Sequence, residues 1–379
     1  MVGGVHTNKK FHCEIIILFL IIQLLASSGI LTADPIQFTK VTVFTGHHNS
    51  VIRVVWSPNG TRVASGSQDG NVRIWDIRMG KNVLNFFGHS NAILDVAWNP
   101  DGKEIASSSL DNTVMIWNSE SGDKILTIGL NHTSARAIAW NPNGTILALG
   151  CYDGTTRLFD YRNNSTLRSF NDSEGPDPTV YFVGWCNKGT ELIYSPGPYL
   201  KVRTVSTGQE LKNLSNPGSL KTLNSNGTRL AVFDDTHPNA KFTIFDIASS
   251  KNLSTFDIGN FVVYSITYSP DGTDIAVGVY DTKDFFIKII DVMTGKIIGS
   301  ISCSSIADSL AWSPNGKEIA SGMDNDTVII WGQLAPEVHL VSVSSDKERA
   351  KIGEILNISV VVQNVGNADA SKCAVEAVW

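Results

Sequence analysis

The sequence predicts an all-β chain: a seven-bladed β-propeller, followed by a partial, immunoglobulin-like β-sandwich. Three observations predict it. The first is the stretch at residues 46–76, GHHNSVIRVVWSPNGTRVASGSQDGNVRIWD, with apolar runs at Val51–Trp56, Arg62–Ser67 and 72–75. Ser57-Pro58-Asn59-Gly60 and Gln68-Asp69-Gly70-Asn71 separate the runs. Asn-Gly and Asp-Gly between apolar runs are hairpin signals, because these residues tolerate the positive φ that tight turns need. The second is that this three-stranded unit recurs around a Trp-turn-Gly motif. The third is a change of pattern after residue 336, where Leu356, Ile358, Val360 and Val362 alternate with Asn357, Ser359, Val361 and Gln363. That alternation is the pattern of a half-buried strand.

Residues 1–33 read as an export signal. Lys9 and Lys10 precede an apolar run at 15–26, and small residues follow (Ala26, Ser27, Ser28, Gly29, then Ala33). A positive start, an apolar middle and a small-residue exit make a cleavable secretory signal. The alternative is an uncleaved anchor, for which the run is short. The expected location is therefore secreted or at the cell surface, with membrane contact only through this segment if it is retained.

The net charge of −6 and the absence of any basic run longer than Lys9-Lys10 give no nucleic-acid footprint. Cys13, Cys151, Cys186, Cys303 and Cys373 stand singly, without a CxxC pair. They form neither a zinc pattern nor a disulfide framework, and read as small buried hydrophobes. Sequons start at Asn59, Asn131, Asn143, Asn163, Asn164, Asn171, Asn213, Asn226, Asn252, Asn325 and Asn357. In an exported chain these are candidate N-glycosylation sites. Asn-Gly-Thr is also good turn chemistry without sugar.

The repeat is marked by Trp56, Trp98, Trp140, Trp185, Leu223, Tyr268 and Trp312, each followed by a turn ending in Gly. Successive copies lie 42, 42, 45, 38, 45 and 44 residues apart. A period near 40–45 residues with four strands per unit is the signature of propeller blades. Trp75 maps onto Trp117, Phe159, Arg203, Phe245, Ile290 and Trp331, and Gly88-His89 repeats Gly46-His47. After Trp331 no strand leads into another Gly-His, whereas residues 37–44 precede the first. The N-terminal strand, with Phe38, Val41 and Val43, is therefore expected to complete the seventh blade, leaving the ring no open edge.

These motifs resemble the WD-repeat (WD40) family over about residues 36–333. The resemblance implies a structural tetrad in each blade: His before the first strand, Ser or Thr in the second, Asp in the tight turn, Trp in the third. Blade 1 offers His47, Ser67, Asp69 and Trp75, and blade 2 offers His89, Ser109, Asp111 and Trp117. Blade 3 keeps His132 and Asp153 beside Cys151 and Phe159. Blade 7 keeps Trp331, with Met323 and Asn325 where Ser and Asp would be. A buried carboxylate needs hydrogen bonds, and His can donate to Asp while accepting from Ser. Repetition of the trio marks a framework element rather than a catalytic one.

Blades 4 to 6 depart most from the pattern. Tyr268-Ser-Pro-Asp-Gly also looks like the propellers of TolB-type proteins and prolyl-oligopeptidase-like enzymes. After a linker at 334–336, residues 337–379 resemble the opening of a cell-adhesion-related (CARDB-like) sandwich domain. That is about half the length a sandwich needs. Either the chain is a fragment, or a partner completes the sheet by strand addition.

No catalytic motif, metal-ligand cluster or cofactor-binding loop is recognisable. Asp234-Asp235 and Asp324-Asn325-Asp326 read as turn residues. The function expected is non-enzymatic protein binding, scaffolding or adhesion. The alternative is the propeller part of an exported enzyme or of a TolB-like assembly. The WD resemblance implies a binding face at the turns between second and third strands, carrying Gln68, Leu110, Tyr152 and Asp324. Asn59, Asn143, Asn163, Asn164 and Asn226 are expected on the opposite face. Asn131, Asn171 and Asn325 are expected on the binding face.

Overall fold

Each repeat folds back on itself because its turns can take the backbone that hairpins demand. Gly60, Gly102, Gly144, Gly227, Gly272 and Gly316, which close the Trp-motif turns, all have φ between 66° and 78°. The computed structural model describes residues 36–172, 176–197, 199–215, 218, 220–234, 240–334, 338–345, 357–364 and 372–378. The signal at 1–33 lies outside them, as do residues 335–336 of the 334–336 linker and Asp235.

Within Gln37–Gln333, one compact unit, the described strands form seven four-stranded antiparallel sheets. Blade 1 runs Val51–Trp56, Arg62–Ser67, Val72–Asp76, Lys81–Phe86, and blade 2 Ile93–Trp98, Glu104–Ser109, Thr113–Asn118, Lys124–Gly129. Blade 3 is Ala135–Trp140, Ile146–Cys151, Thr155–Asp160, Ser165–Asn171, and blade 4 Val180–Cys186, Glu191–Pro196, Tyr199–Thr204, Glu210–Ser215. Blade 5 is Leu220–Leu223, Arg229–Asp234, Ala240–Asp246, Lys251–Gly259, and blade 6 Val262–Tyr268, Asp274–Tyr280, Phe285–Asp291, Ile297–Cys303. Blade 7 has Ala307–Trp312, Glu318–Met323 and Val328–Gln333, and its outer strand is Phe38–Phe44.

The N-terminal strand pairs antiparallel with the third strand of blade 7, from Phe38 opposite Gln333 to Phe44 opposite Val328. Phe44 then stacks on Trp75 of blade 1 at 5.0 Å, as Phe86 stacks on Trp117 one blade further on at 5.2 Å. The outer strand of each blade thus delivers an apolar side chain to the next blade. The core follows the same logic. Its apolar clusters each join two neighbouring blades, and the one formed by Phe44, Val54, Trp75, Val328 and Ile330 joins blade 7 to blade 1.

A second stitch runs along the inner strands. The indole N–H of Trp56 donates to the Ala311 carbonyl at 3.0 Å, that of Trp98 to Val55 at 3.2 Å, that of Trp140 to Ala97 at 3.3 Å, and that of Trp185 to Ala139 at 3.0 Å. Each of these four Trp therefore reaches back to the preceding blade. Trp312 is different: its buried indole nitrogen has no hydrogen-bond partner among the described residues.

The outer strands share a β-bulge opposite the third strand, and the unpaired residue is always aliphatic: Val41, Val83, Ile125, Leu167, Leu211, Leu253 and Ile298. A bulge twists an edge strand and interrupts its ladder, which blunts it against pairing with another chain.

The C-terminal residues form a separate three-stranded antiparallel sheet, Val338–Ser345, Asn357–Asn364 and Lys372–Val378. The expected sandwich needs a second sheet, and among the described residues this segment contributes one.

Replacing Phe44 with Ala is expected to cost about 3–5 kcal/mol in denaturant unfolding. The cost should be non-additive with Trp75→Ala, because the two rings share one contact. Strictly additive effects would contradict closure through this strand.

Candidate functional site

The His-Asp-Ser-Trp sets come first, because their chemistry resembles a nucleophilic triad. In blade 1, His47 Nδ1 donates to Asp69 Oδ2 at 2.9 Å, and His47 Nε2 lies 2.7 Å from Ser65 Oγ. The Trp75 indole N–H donates to the same Ser65 oxygen at 2.7 Å. Blade 2 repeats this with His89, Asp111, Ser107 and Trp117 at 2.8 Å for each bond.

The hydroxyl in each set is thus Ser65 or Ser107, and the expected Ser67 and Ser109 have another role. Ser67 Oγ donates to the Asn49 carbonyl and accepts from the Asp69 N–H, and Ser109 makes the same bonds to Asn91 and Asp111. Residues two apart on a strand share a face, so the sequence pattern could not separate them.

Both acids are held ionised. Burial pushes the carboxyls of Asp69 and Asp111 up. Hydrogen bonds from His47 and the Asn71 N–H, and from Thr113 and the Ser90 N–H, outweigh it, so both lie below the usual carboxylate range. Burial lowers His89, keeping its ring neutral. Ser65 and Ser107 are fully buried, with their oxygens engaged by indole N–H groups. No substrate can reach them, so these sets are struts.

Elsewhere the sets change by linked substitutions. His132 and Asp153 do not pair. His132 is exposed at φ 73°, and Asp153 bonds Thr155 and Arg157 instead. Leu149 and Phe159, at the Ser and Trp positions, offer no polar partner there. Leu130 stands where Gly46 and Gly88 do, and is buried. A Cβ on Gly88 would lie 2.8 Å from Trp117, so the smaller Phe159 is what admits Leu130. Blade 7 keeps half a set: Trp331 donates to Ser321 at 2.9 Å. In blade 4, Tyr194 and Arg203 occupy the Ser and Trp positions. Arg203 bonds the Tyr194 hydroxyl at 2.7 Å, Asp172 at 2.9 Å and Glu210 at 2.7 Å, and the Tyr194 hydroxyl donates to Asp172. The sequence did not reveal this network, because Asp172 lies in a loop outside the repeat.

Gln68, Leu110, Tyr152 and Asp324 occupy equivalent places. Their N–H groups donate to the carbonyls of Ser50, Ala92, Ser134 and Ile306, each 18 residues earlier. These bonds hold the turns between second and third strands beside the starts of the inner strands. This is face A of the propeller; the turns after the repeat Trp lie on face B. Gln68 and Leu110 are exposed, Tyr152 and Asp324 half-buried. Asp324 also accepts from the Ile306 N–H at 3.1 Å, so one carboxylate oxygen is engaged in its own loop.

Sequence reasoning missed the ring beneath this face. The register between inner and second strands skips a residue at Ile52, Leu94, Arg136, Tyr264 and Asp308, and skips Tyr181 and Phe182 together in blade 4. Bulges re-aim side chains. The bulged residues of all these blades line a central cavity of ≈ 590 Å³. Between the inner strands of neighbouring blades 1 and 2, Arg53 pairs with Asp95 at 2.8 Å, and Asp95 also accepts from the Ile138 N–H of blade 3 at 2.8 Å. Arg136 lies over the ring of Tyr181 at 5.9 Å. Burial, with the charge of Asp324 added, raises Asp308 from 3.8 to about 6.

Cys151 and Cys186 are buried and Cys303 is half-buried, and all three are free. Burial pushes their thiols up to about 11, about 12 and about 12, so they are unreactive core residues. The side chains of Cys13 and Cys373 lie outside the described residues. Ten of the sequon asparagines are exposed, from Asn59 to Asn325; the side chain of Asn357 is outside the described residues. Asn59, Asn143 and Asn226 each accept from the hydroxyl of the Thr two residues on, at 2.6–2.8 Å.

Residues 20–283 match the family described as "IFT122 first beta-propeller", and residues 295–332 match "WD domain, G-beta repeat". The second match begins at the outer strand of blade 6 and ends in the third strand of blade 7, so the sequence repeat is out of phase with the blades. A stretch of 49 residues is 43% identical to the ribosome biogenesis protein erb1 of Neurospora crassa, covering 13% of this chain and 6% of that protein.

The raised pKa of Asp308 gives a pH-dependent stability. A carboxyl favoured in its neutral form in the fold costs stability as it ionises. The cost grows between pH 3.8 and about 6 and is complete above. Asp308→Asn should therefore raise the melting temperature at pH 7.5 and leave it nearly unchanged at pH 4. Equal shifts at both pH values would contradict this.

Proposed function

The chain belongs to the IFT122 first beta-propeller family and carries WD repeats, and from that premise we propose that it is a non-enzymatic scaffold holding protein partners on face A. One observation carries the reading: Gln68, Leu110, Tyr152 and Asp324 take the same backbone position in four blades while their side chains differ completely. A framework that repeats its backbone and varies its tips suits recognition of an irregular protein surface. Glycans on Asn59, Asn143, Asn163, Asn164 and Asn226 would crowd face B and leave face A the more open. Three of the four tips are tested by changing Gln68, Leu110 and Tyr152 together to Ala and comparing captured partners by quantitative mass spectrometry. A face B control changes Pro58, Asn143 and Asn226. Partners lost with the first set and kept with the second support the reading; equal recovery from both removes face A as the contact surface.

We further propose export to the cell surface or exterior, from the lysines and apolar run within residues 1–33. The C-terminal sheet would then be the start of an adhesion-type sandwich. Its alternating polar and apolar strand Asn357–Asn364, central between Val338–Ser345 and Lys372–Val378, supports that reading. The N-terminal sequence of the protein recovered from its producing cells should begin near Asp34. A chain beginning at Met1 and recovered from the soluble cell interior would overturn export.

A further inference from the structure

The geometry points to the mouth of the central cavity as a two-charge pocket that takes a partner's peptide segment, an acidic side chain seating on Arg136 and a basic one on Asp308. This rests on the reading of face A as the contact surface, and names what enters beneath it. Around the bulge ring the residues run Ile52, Leu94, Arg136, Tyr181, Tyr264 and Asp308 on blades 1, 2, 3, 4, 6 and 7. Arg136 and Asp308 therefore stand on opposite arcs of the opening.

The other charges lining the cavity are committed. Arg53 and Asp95 pair at 2.8 Å, and Lys221 donates to the Gly218 carbonyl at 2.6 Å. Arg136 has its contact with the Tyr181 ring, and neither its side chain nor that of Asp308 makes a hydrogen bond or ion pair among the described residues. A half-buried charge without a counter-charge is costly. A ligand that supplies the counter-charge recovers that cost, and two such groups of opposite sign select a ligand that carries both. The cavity, ≈ 590 Å³ and walled by Ile52, Leu94, Tyr181 and Tyr264 between the two charges, is of the size that holds a few side chains.

Titration provides a readout that a purely structural role would not move. The charge acting on Asp308 is that of Asp324, beyond the second strand of blade 7; Arg53 on the inner strand of blade 1 and Tyr264 on the inner strand of blade 6 line the same cavity. Glu318 sits at the far end of that second strand. Asp308, raised to about 6, changes its charge between pH 7.5 and 5.

The test uses the full chain and calorimetric titration with acetyl-Glu-Gly-Gly-Lys-amide, against acetyl-Gln-Gly-Gly-Gln-amide. The charged peptide should bind, and the neutral one at least about tenfold more weakly. Arg136→Gln and Asp308→Asn should each reduce binding of the charged peptide about tenfold or more. Lowering the pH from 7.5 to 5 should weaken the wild type and leave Asp308→Asn unaffected. Thermal melts check that both variants are folded, and Asp308→Asn removes a costly charge, so its loss of binding would not come from unfolding. Equal binding of the two peptides, no binding of either, or full binding by both variants overturns the inference. The Gln68, Leu110 and Tyr152 variant separates the two readings. If it loses partners while the charged peptide fails to bind, face A stands and the pocket falls. If the peptide binds as inferred while that variant keeps every partner, the pocket stands and the four tips fall.

Discussion

The pairing of Phe38–Phe44 with Val328–Gln333 is the contact on which the rest of the propeller depends. Each blade is a four-stranded sheet too small to bury both its faces alone, and its apolar surface is covered by its two neighbours. A ring satisfies that need for every blade, but only if the last blade meets the first. Here the two ends of the propeller chain lie in one sheet, so the seam is sealed by a ladder of strand pairing interrupted at the Val41 bulge. Phe44 then crosses the seam to stack on Trp75, and the Trp56 indole crosses it to the Ala311 carbonyl. Opening the ring would expose an unpaired strand edge and strip the first blade of its apolar cover.

The polar sets inside the blades are variations under one rule: what enters the blade interior must be matched there. Where Trp75 and Trp117 stand, a Ser hydroxyl takes the indole N–H, a His takes the hydroxyl proton, an Asp takes the imidazole N–H, and a Gly leaves room for the indole. Replacing Trp by Phe159 removes the donor, and with it the hydroxyl, the inward His and the need for glycine. Replacing it by Arg203 brings a charge, and Asp172, Glu210 and the Tyr194 hydroxyl gather around it. A buried unsatisfied group costs about 1–3 kcal/mol, enough to make these substitutions travel together.

Bulges divide the work between the rim and the centre of the ring. On the outer strands they leave an aliphatic residue unpaired in every blade and spoil the edge for pairing. On the inner strands they turn different side chains into the cavity mouth: aliphatic in blades 1 and 2, cationic in blade 3, aromatic in blades 4 and 6, anionic in blade 7. The framework repeats while the chemistry at its centre does not, which is the arrangement a scaffold with selective contacts requires.

The sequence by itself determined the number of blades, the turns between their strands and the use of the N-terminal strand to finish the seventh. Those features follow from local rules: turn residues that accept positive φ, apolar runs of strand length, and a period that counts the copies. It also determined the His, Asp and Trp of blades 1 and 2. Their partner hydroxyl was decided by tertiary structure, because Ser65 and Ser67 lie on one face of one strand and only depth within the blade distinguishes them. His132 was misread for a related reason: its neighbours Leu149 and Phe159 are remote in sequence, and they withhold the partners it would need. The ring of Arg136, Tyr181, Tyr264 and Asp308 was invisible for a third reason. A bulge changes the side-chain direction without leaving a mark in the apolar period, so which residues face the cavity was settled by how the strands pair and how the blades close around it.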